Sequence, residues 1–441
     1  MRWKIICFLL LINFRLFAQD IVADDSLTVE EAIGTALQNN YDIILARNDS
    51  AVAALDYSYR DYAFLPRVNG DGTILFNNNA QNVTLADGTK RNRSGIQSNN
   101  INASVGLNWT VFDGFRMFAT RAKAEEYVRL GSIVIKEQMN NTIADVIVNY
   151  YNIVRQKQQL RTVEEQMLVN ADRLRLAQYR LDIGVGVKPD VLQAQIDLNA
   201  QKAAQLNALT QITQLKQQLN RLMNVAPPTD YKVSDTIPVQ MNITLAEVHA
   251  GIEQSSPQLQ LARKNIDIAG LTVRERRAER FPIVSLTSAY NFSRNNNNSV
   301  VNPTQPLFSM NRGLNYGVTA TVPIFNGFNA RRLIKQAELD VNYRELIYNN
   351  QLSLINTGLA NSFTAYQLQK QALALEESNI LLAQENLFIA RERYRLAATT
   401  FLELREAQRS LEEAYNRLIT ARYNLKVAET ELLRLRGDFV R

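Results

Sequence analysis

The side chains that most often perform catalysis or bind metals are scarce in this sequence. His249 is the only histidine and Cys7 the only cysteine among 441 residues. Cys7 lies inside an apolar run, and His249 aligns with Ile33 in an internal repeat of the chain, so neither residue indicates a metal site or an activated nucleophile. The sequence also contains no nucleophile elbow, phosphate-binding loop or metal-spaced cluster. We therefore predict that the protein is not an enzyme and that it binds no cofactor or metal.

The remaining candidates for chemistry are acidic residues. Glu403 and Glu406 are three residues apart, which places both carboxylates on one face of a helix. Taken alone, such a pair is typical of a solvated helix surface. Lysine and arginine residues alternate with acids along the chain, so the formal net charge of +6 forms no patch for nucleic acid.

Residues 1–18 have the pattern of a secretory signal peptide. Arg2 and Lys4 precede an apolar run from Ile5 to Ile12, and the small residue Ala18 follows. The run is too short to span a bilayer. The pattern predicts export from the cytoplasm, and a buried apolar terminus is the alternative.

The sequence contains an internal duplication of the elements that position these residues. Residues 27–47 match residues 243–263 without a gap, and residues 111–115 match residues 324–328 in the same order. This duplication predicts a first repeat over 19–224 and a second over 243–441. The connecting residues 225–242 contain three prolines and read as a linker.

Long helices are expected in two tracts that contain no proline, between Pro66 and Pro189 and after Pro323. Apolar residues recur there at steps of three and four, as in a coiled-coil seam: Met139, Ile143, Val146, Tyr150, Ile153, then Leu160, Val163, Met167, Ala171 and Leu174. The pattern predicts one helical hairpin over about 115–223 and a second over about 328–435.

Ahead of each helical hairpin the apolar period changes to two, which predicts β-hairpins over about 66–112 and about 282–325. Each strand is about ten residues long, the length of a tilted transmembrane strand. The polar segments 77–100 and 294–312 are predicted to be external loops. A soluble, half-buried sheet is the alternative. Four strands cannot close a barrel in lipid, whereas three chains supply twelve, so the membrane interpretation predicts a homotrimer.

Together, the opening residues 30–40, the prolines before each strand pair, the turns at 111–115 and 324–328, and the segments 179–181 and 190–192 resemble the TolC-like outer membrane efflux protein family. The resemblance covers essentially the whole mature chain. It implies a mainly α protein with a transmembrane β-barrel, in which a trimer forms a twelve-stranded barrel in outer membrane lipid and a long coiled-coil α-barrel in the periplasm.

The resemblance also implies a function. We expect a passive exit duct that conducts small molecules from the periplasm to the exterior when a periplasmic adaptor and an inner membrane pump, proton-driven or of the ABC type, engage it. The alternatives are the same duct in a type I protein or peptide secretion system, and a soluble periplasmic coiled-coil scaffold.

The resemblance identifies candidate site residues as well. Glu403 and Glu406 align with the acidic ring that constricts the family's periplasmic end, where three copies would attract cations. Thr399 aligns with a basic residue of the family, so the family's salt-bridge latch is not expected here. The helical tips are the expected adaptor-docking positions, with the residues Arg180, Leu181, Gly184, Gly186, Asp190, Arg395, Leu396 and Thr399.

Overall fold

The structure, a computed structural model, describes residues 26–226, 231–302, 304–396 and 398–440. The predicted signal peptide, with Cys7, lies outside the described residues, as do residues 227–230 of the predicted linker. The chain divides into two compact units. Unit 1 contains residues 26–40, Thr142–Asn242 and Thr364–Glu431, and unit 2 contains Tyr41–Asn141, Ile243–Phe363 and residues 432–440.

The described helices and strands form two similar series along the chain. The first is α1 Val29–Asn39, α2 Tyr41–Ser58, a 3-10 turn Arg60–Phe64, β1 Arg67–Thr84, β2 Lys90–Phe112, α3 Arg116–Asp182 and α4 Lys188–Met223. The second is α5 Leu245–His249, α6 Ile252–Ser255, α7 Pro257–Ala278, β3 Ile283–Asn297, β4 Phe308–Thr321, α8 Asn329–Arg395 and α9 Phe401–Arg436. In the described part of the chain, no helix is both long and apolar enough to cross a membrane.

The two copies use the same local chemistry to start their first helices. Thr28 accepts a hydrogen bond from the Glu31 amide, and the Glu31 carboxylate accepts one from the Thr28 amide. Thr244 and Glu247 form the same reciprocal pair before α5. Each pair satisfies two backbone donors that the first helical turn leaves open.

The turn from strand to long helix is also the same in both copies. Phe115 and Phe328 adopt left-handed backbone conformations, with φ of 69° and 63°, which is uncommon for a bulky residue. Each ring packs edge-on against the phenylalanine three positions earlier, with ring centroids 5.2 Å and 5.4 Å apart. The internal duplication predicted from the sequence is thus present in the structure down to backbone dihedrals.

In unit 1 the core packs α1 against α3, α4 and the segment 231–239. Val146, Tyr150, Ile153 and Leu219 are almost fully buried there. The Tyr150 hydroxyl donates to the Leu27 carbonyl at 2.7 Å and accepts from the Ser234 amide at 3.1 Å. Val146, Tyr150 and Ile153 of the predicted seam are therefore core residues, and the buried tyrosine hydroxyl both donates and accepts a hydrogen bond, whereas Met139 is only half-buried.

The second half of the predicted seam is not the row that a single chain buries. Leu160, Val163, Met167, Ala171 and Leu174 are only half-buried, and the fully buried row of α3 is instead Thr162, Gln166, Asn170, Arg173 and Ala177. Two polar residues of this row have clear partners: the Thr162 hydroxyl donates to the Gln158 carbonyl, and Arg173 donates to a carboxylate described below.

Unit 2 contains an antiparallel sheet of four strands in the order β1-β2-β3-β4. The two β-hairpins belong to different copies, and the pairing of β2 with β3 joins them. Alternate residues define two faces. The apolar face includes Val68, Ile74, Val105, Leu107, Trp109, Val284, Leu286, Tyr290, Phe292, Leu314, Tyr316 and Val318; the polar face includes Asn69, Asp71, Asn102, Ser104, Asn108, Thr287, Asn291, Asn311, Asn315 and Thr319.

The predicted external loops are wrong in extent. β1 and β2 continue to Thr84 and from Lys90, so only residues 85–89 connect them, and residues 298–307 connect β3 to β4. Strand pairing depends on backbone hydrogen bonds, so asparagine and serine side chains do not end it. At the other end β4 stops at Thr321, before Val322 and Ile324, because Pro323 cannot donate to a sheet.

Candidate functional site: the tips of the helical hairpins

The first tip, between α3 and α4, is a tight glycine turn in unit 1. Gly184 has a φ of 77°, and the amides of Val185 and Gly186 both donate to the Arg180 carbonyl, at 3.0 Å and 2.8 Å. A Cβ on Gly186 would lie 2.8 Å from the Leu181 amide nitrogen. Both glycines are therefore required by the backbone, one for its dihedral and one for the close approach.

The second tip, between α8 and α9, closes without glycine. The Ala398 amide donates to the Arg393 carbonyl at 2.8 Å, and the Arg393 guanidinium donates back to the Ala398 carbonyl at 3.3 Å. Thr400 caps α9 by accepting from the Glu403 amide at 3.3 Å. The Thr399 hydroxyl donates to the Glu403 carboxylate. The two tips thus differ in conformation, as their sequences indicate.

A cavity of about 240 Å³ lies between the two tips. Its lining includes four of the predicted docking residues, Arg180, Gly186, Asp190 and Thr399. The Arg180 guanidinium donates to the Tyr394 hydroxyl at 2.9 Å and lies 5.5 Å from the centre of that ring. The cavity is smaller than an ordinary small-molecule pocket, so it suits a side chain or ordered water better than a transported solute.

The other predicted tip residues are placed elsewhere. Leu181, Gly184 and Leu396 do not line the cavity, and Arg395 is the last residue of α8. Leu396 is 72% exposed.

Glu403 and Glu406 are both exposed on the first turns of α9. They do not line the tip cavity. Among the described residues no lysine or arginine forms an ion pair with either carboxylate. Arg409, whose pKa is raised by Glu413 and by Glu406, lies one turn further along α9, so the charge of Glu406 is partly offset within the chain.

A buried charged network above the tips was not anticipated from the sequence. Arg173 on α3 donates to Asp197 on α4 and, at 3.1 Å, to the Gln408 side chain on α9. Arg405 on α9 lies 3.3 Å from the same carboxylate. The Arg173 side chain is 6% exposed and that of Asp197 15%. One carboxylate thus joins three helices of unit 1.

Burial lowers the pKa of the Arg173 guanidinium, and Asp197 opposes that effect. An arginine remains charged in spite of such a shift, so two guanidinium groups share one carboxylate. Removing the carboxylate would leave a buried cation without a counter-charge, which is far more costly than losing a surface pair. Arg173 and Asp197 are far apart in sequence from Arg405 and Gln408, so no local spacing could have revealed them.

His249 ends α5 and is exposed. In the residues that the structure describes, no group of three or more histidine, cysteine, aspartate and glutamate side chains is arranged to hold a metal ion.

Fold and tips together define a class of protein: a duplicated chain in which two long helical hairpins are combined with a four-stranded sheet that has one apolar face. The family model for outer membrane efflux proteins matches residues 32–225 and 251–438. The chain belongs to the outer membrane efflux protein family.

Named relatives and solved structures agree with this assignment. A probable efflux pump outer membrane protein of Pseudomonas putida, SepC, is 23% identical over 97% of this chain and 85% of its own length. The outer membrane protein TolC of Vibrio cholerae is 22% identical over 88% of this chain and 85% of its own length. The crystal structure of the Campylobacter jejuni outer membrane channel CmeC shares the fold, with a TM-score of 0.77 at 16% identity over 93% of this chain and 85% of that one.

The predicted family and location are confirmed, and so is a mainly helical, duplicated fold with a four-stranded sheet. The trimer and the closed barrel stay predictions. The protein is an outer membrane efflux channel protein that extends into the periplasm. Its family is one of channels and not of enzymes. The limits of the repeats and the roles of individual residues stay predictions.

Proposed function

We propose that three copies of this chain assemble head to tail into the exit duct of a tripartite efflux system. The duct conducts small molecules passively from the periplasm to the exterior when a periplasmic adaptor and an inner membrane pump engage its helical tips. The twelve strands form one barrel in the outer membrane, and Glu403 and Glu406 form the acidic constriction at the periplasmic end.

The four-stranded sheet is the observation that carries this proposal. Its apolar face suits lipid, but β1 and β4 each have an edge with no strand beside it in the described chain. Unpaired backbone groups cannot face hydrocarbon, so the sheet must close on other copies. Two copies give eight strands and an interior filled by side chains, whereas three give twelve and leave room for a pore.

The duplication also supports a particular contact between copies. Within one chain the first strand-to-helix turn is covered: a Cβ on Gly114 would lie 2.4 Å from the Ala278 carbonyl oxygen and 2.8 Å from the Phe281 Cβ. The equivalent Gly327 in the second copy has no atom within 4 Å of the same position. The residues of the first repeat that correspond to Ala278 and Phe281 are Tyr62 and Leu65, which are 54% and 62% exposed.

The uncovered turn at Gly327 and the exposed residues Tyr62 and Leu65 can therefore meet at a boundary between two subunits. If a neighbouring chain repeats the internal packing, its Tyr62 and Leu65 cover Gly327 of this chain. Contact between two different surfaces is heterologous, and it generates a ring with a fixed number of copies when the rotation between neighbours closes. A further exposed row agrees with this: on α8, Leu368, Leu375, Leu382 and Ile389 repeat every seven residues and are 48–65% exposed, as an unpartnered coiled-coil seam would be.

The test uses cysteine cross-linking in a Cys7→Ala background. Leu65→Cys combined with Gly327→Cys is expected to give covalent trimers in isolated outer membranes, and Leu65→Cys combined with Gly313→Cys, on the strand before that turn, is the control that should not. Wild-type protein prepared in the same way is then measured in planar bilayers, where it should form ion-conducting pores. Absence of both the trimer and the pores contradicts the proposal. Recovery of the chain in the soluble periplasm would favour the scaffold alternative.

A further inference from the structure

Two arginines interrupt the apolar face of the sheet at one end. Along β3 this face contains Val284, Leu286, Tyr290 and Phe292, and the next residue on it is Arg294. On β4 it contains Val318, Tyr316 and Leu314, followed by Arg312. Both arginines are exposed. The apolar face therefore ends in a pair of guanidinium groups.

The position of the two arginines along the strands predicts their depth in the membrane. Val284 and Arg294 are ten residues apart on one strand, which is about 33 Å at 3.3 Å per residue and about 25 Å along the membrane normal for a strand tilted by roughly 40°. That is the height of the apolar band of an outer membrane barrel. The strands leave the helices at Ile283 and Thr321, so the arginines lie at the external rim of the band.

Neither guanidinium has a carboxylate partner in the described part of the chain. β2, β3 and β4 contain no acidic residue, and Asp71 on β1 belongs to the polar face. Instead, Arg294 lies 5.6 Å from the centre of the Phe308 ring and Arg312 lies 5.8 Å from that of Phe292. These contacts orient the guanidinium groups without neutralising them.

The two arginines can bind one anion together. Arg294 pairs with Met310 across the strands, and Arg312 is two residues further along β4. Such diagonal neighbours are about 7–8 Å apart, within reach of one another for long side chains. Guanidinium groups bind phosphate oxygens in pairs of parallel hydrogen bonds. The two arginines thus form a site for one phosphate, which we call the phosphate clamp, and the apolar face of the sheet lies directly below it.

We propose that Arg294 and Arg312 bind the phosphate of a phosphorylated glycolipid in the external leaflet of the outer membrane. The apolar face below them contacts the acyl chains. Above them, the same face carries the facing amides Asn99 and Asn296, and the Asn99 Oδ1 has no hydrogen-bond partner. Amides at that height suit sugar hydroxyls. The inference rests on the proposed membrane orientation of the sheet.

The test measures lipid binding to the intact detergent-solubilised protein by native mass spectrometry. The probes are lipid A with its phosphates, the same lipid after enzymatic dephosphorylation, and phosphatidylglycerol. A basic side chain near a lipid phosphate strengthens binding by about 5-fold, so Arg294→Gln with Arg312→Gln should weaken binding of phosphorylated lipid A by roughly 30-fold. The preference for the phosphorylated form should also fall as salt is raised.

Two variants keep the test decisive. Arg67→Gln removes one arginine from the polar face of the same sheet and should leave lipid binding unchanged. Arg294→Lys with Arg312→Lys retains both charges but loses the paired geometry, so it should bind phosphorylated lipid A a few-fold less tightly than wild type. This variant gives the test a second readout if the glutamine variant does not fold.

The outcomes separate this proposal from the preceding one. Unchanged binding of phosphorylated lipid A by the glutamine variant, or equal binding of the dephosphorylated lipid by wild type, overturns the phosphate clamp. Equal affinity for phosphatidylglycerol and lipid A overturns the glycolipid class. Both results are compatible with normal pores in planar bilayers, whereas failure of wild-type protein to form pores overturns the membrane orientation and the clamp with it.

Discussion

Replacing Val105 by arginine tests whether the apolar face of the sheet contacts lipid. Val105 lies on the inner strand β2, is 56% exposed, and pairs with Gly70 on β1 and Tyr290 on β3. Tyr290 is six residues beyond Val284, so this row lies about 15 Å above the periplasmic end of the band, close to the bilayer midplane.

The expected cost follows from that depth. Arginine facing lipid at the midplane destabilises an outer membrane barrel by about 2–4 kcal/mol. Three copies raise the total to about 6–12 kcal/mol for the assembly, which is comparable with the whole stability of an ordinary folded protein. We therefore expect Val105→Arg to prevent accumulation of the assembled protein in the outer membrane.

Ser104 supplies the matched control, because it is the adjacent residue of the same strand and belongs to the polar face. Ser104→Arg adds the same charge on a surface that water contacts, so the protein should assemble normally and its pores should shift toward anion selectivity. The assay is quantitative recovery of protein from outer membrane fractions, followed by chemical unfolding from lipid vesicles. Equal effects of the two substitutions, or a harmless Val105→Arg, would refute the assignment of the faces.

Three further predictions concern the gate, the strand-to-helix turn and the buried network. Replacing Glu403 and Glu406 together by alanine removes two exposed carboxylates per chain, and we expect reversal potentials in planar bilayers to show a loss of cation preference. Gly114→Ala should destabilise the folded chain by about 1–2 kcal/mol through backbone strain and by a further 1–3 kcal/mol, roughly, through overpacking. In the isolated chain Gly327→Ala should show the backbone strain only. Chemical unfolding measures both effects. Arg173→Met should cost roughly 3 kcal/mol, the lower end for a broken buried pair, since Arg405 still compensates Asp197.

Each of these predictions has a control. Glu385→Ala removes an exposed acid from α8, and a loss of selectivity equal to that of the gate variant would assign the effect to overall charge. Arg175→Met breaks a pair with Asp172 in which the side chains are 81% and 75% exposed, so the unfolding midpoint should hardly move. Equal destabilisation by Arg173→Met and Arg175→Met would show that burial of the network contributes nothing.

Much of the fold could be predicted because its periodicities are long and repeated. The alternation from Val284 to Phe292 predicted the two faces of β3 correctly, since successive side chains of a strand point to opposite faces. The same reasoning failed for 77–84 and 90–100, where both faces are polar and only backbone pairing keeps the strands together. It failed again at Thr162 and Gln166, because the buried row of α3 contains polar residues, which an apolar periodicity does not detect.

The candidate site was predicted less completely. The glycine turn at the first tip is local, and the family resemblance placed Gly184 and Gly186 at that tip. The contact of Arg180 with Tyr394 joins residues of different repeats, and the Arg173 network joins α3, α4 and α9. Such contacts depend on how helices pack against one another, which the periodicity of a single helix does not determine.

The two copies share contacts in their scaffold but differ in the side-chain partners at their tips. Where the copies agree, as in Lys157 and Lys370, which both donate to backbone carbonyls of the segment 231–242, they build the same scaffold. At the second tip, by contrast, the Thr399 hydroxyl is the partner of the Glu403 carboxylate. A hydroxyl satisfies a hydrogen bond but neutralises no charge, whereas a lysine or arginine at that position would do both. In a trimer we therefore expect the ring of Glu403 to attract cations and repel anions at this constriction, with a strength that salt reduces.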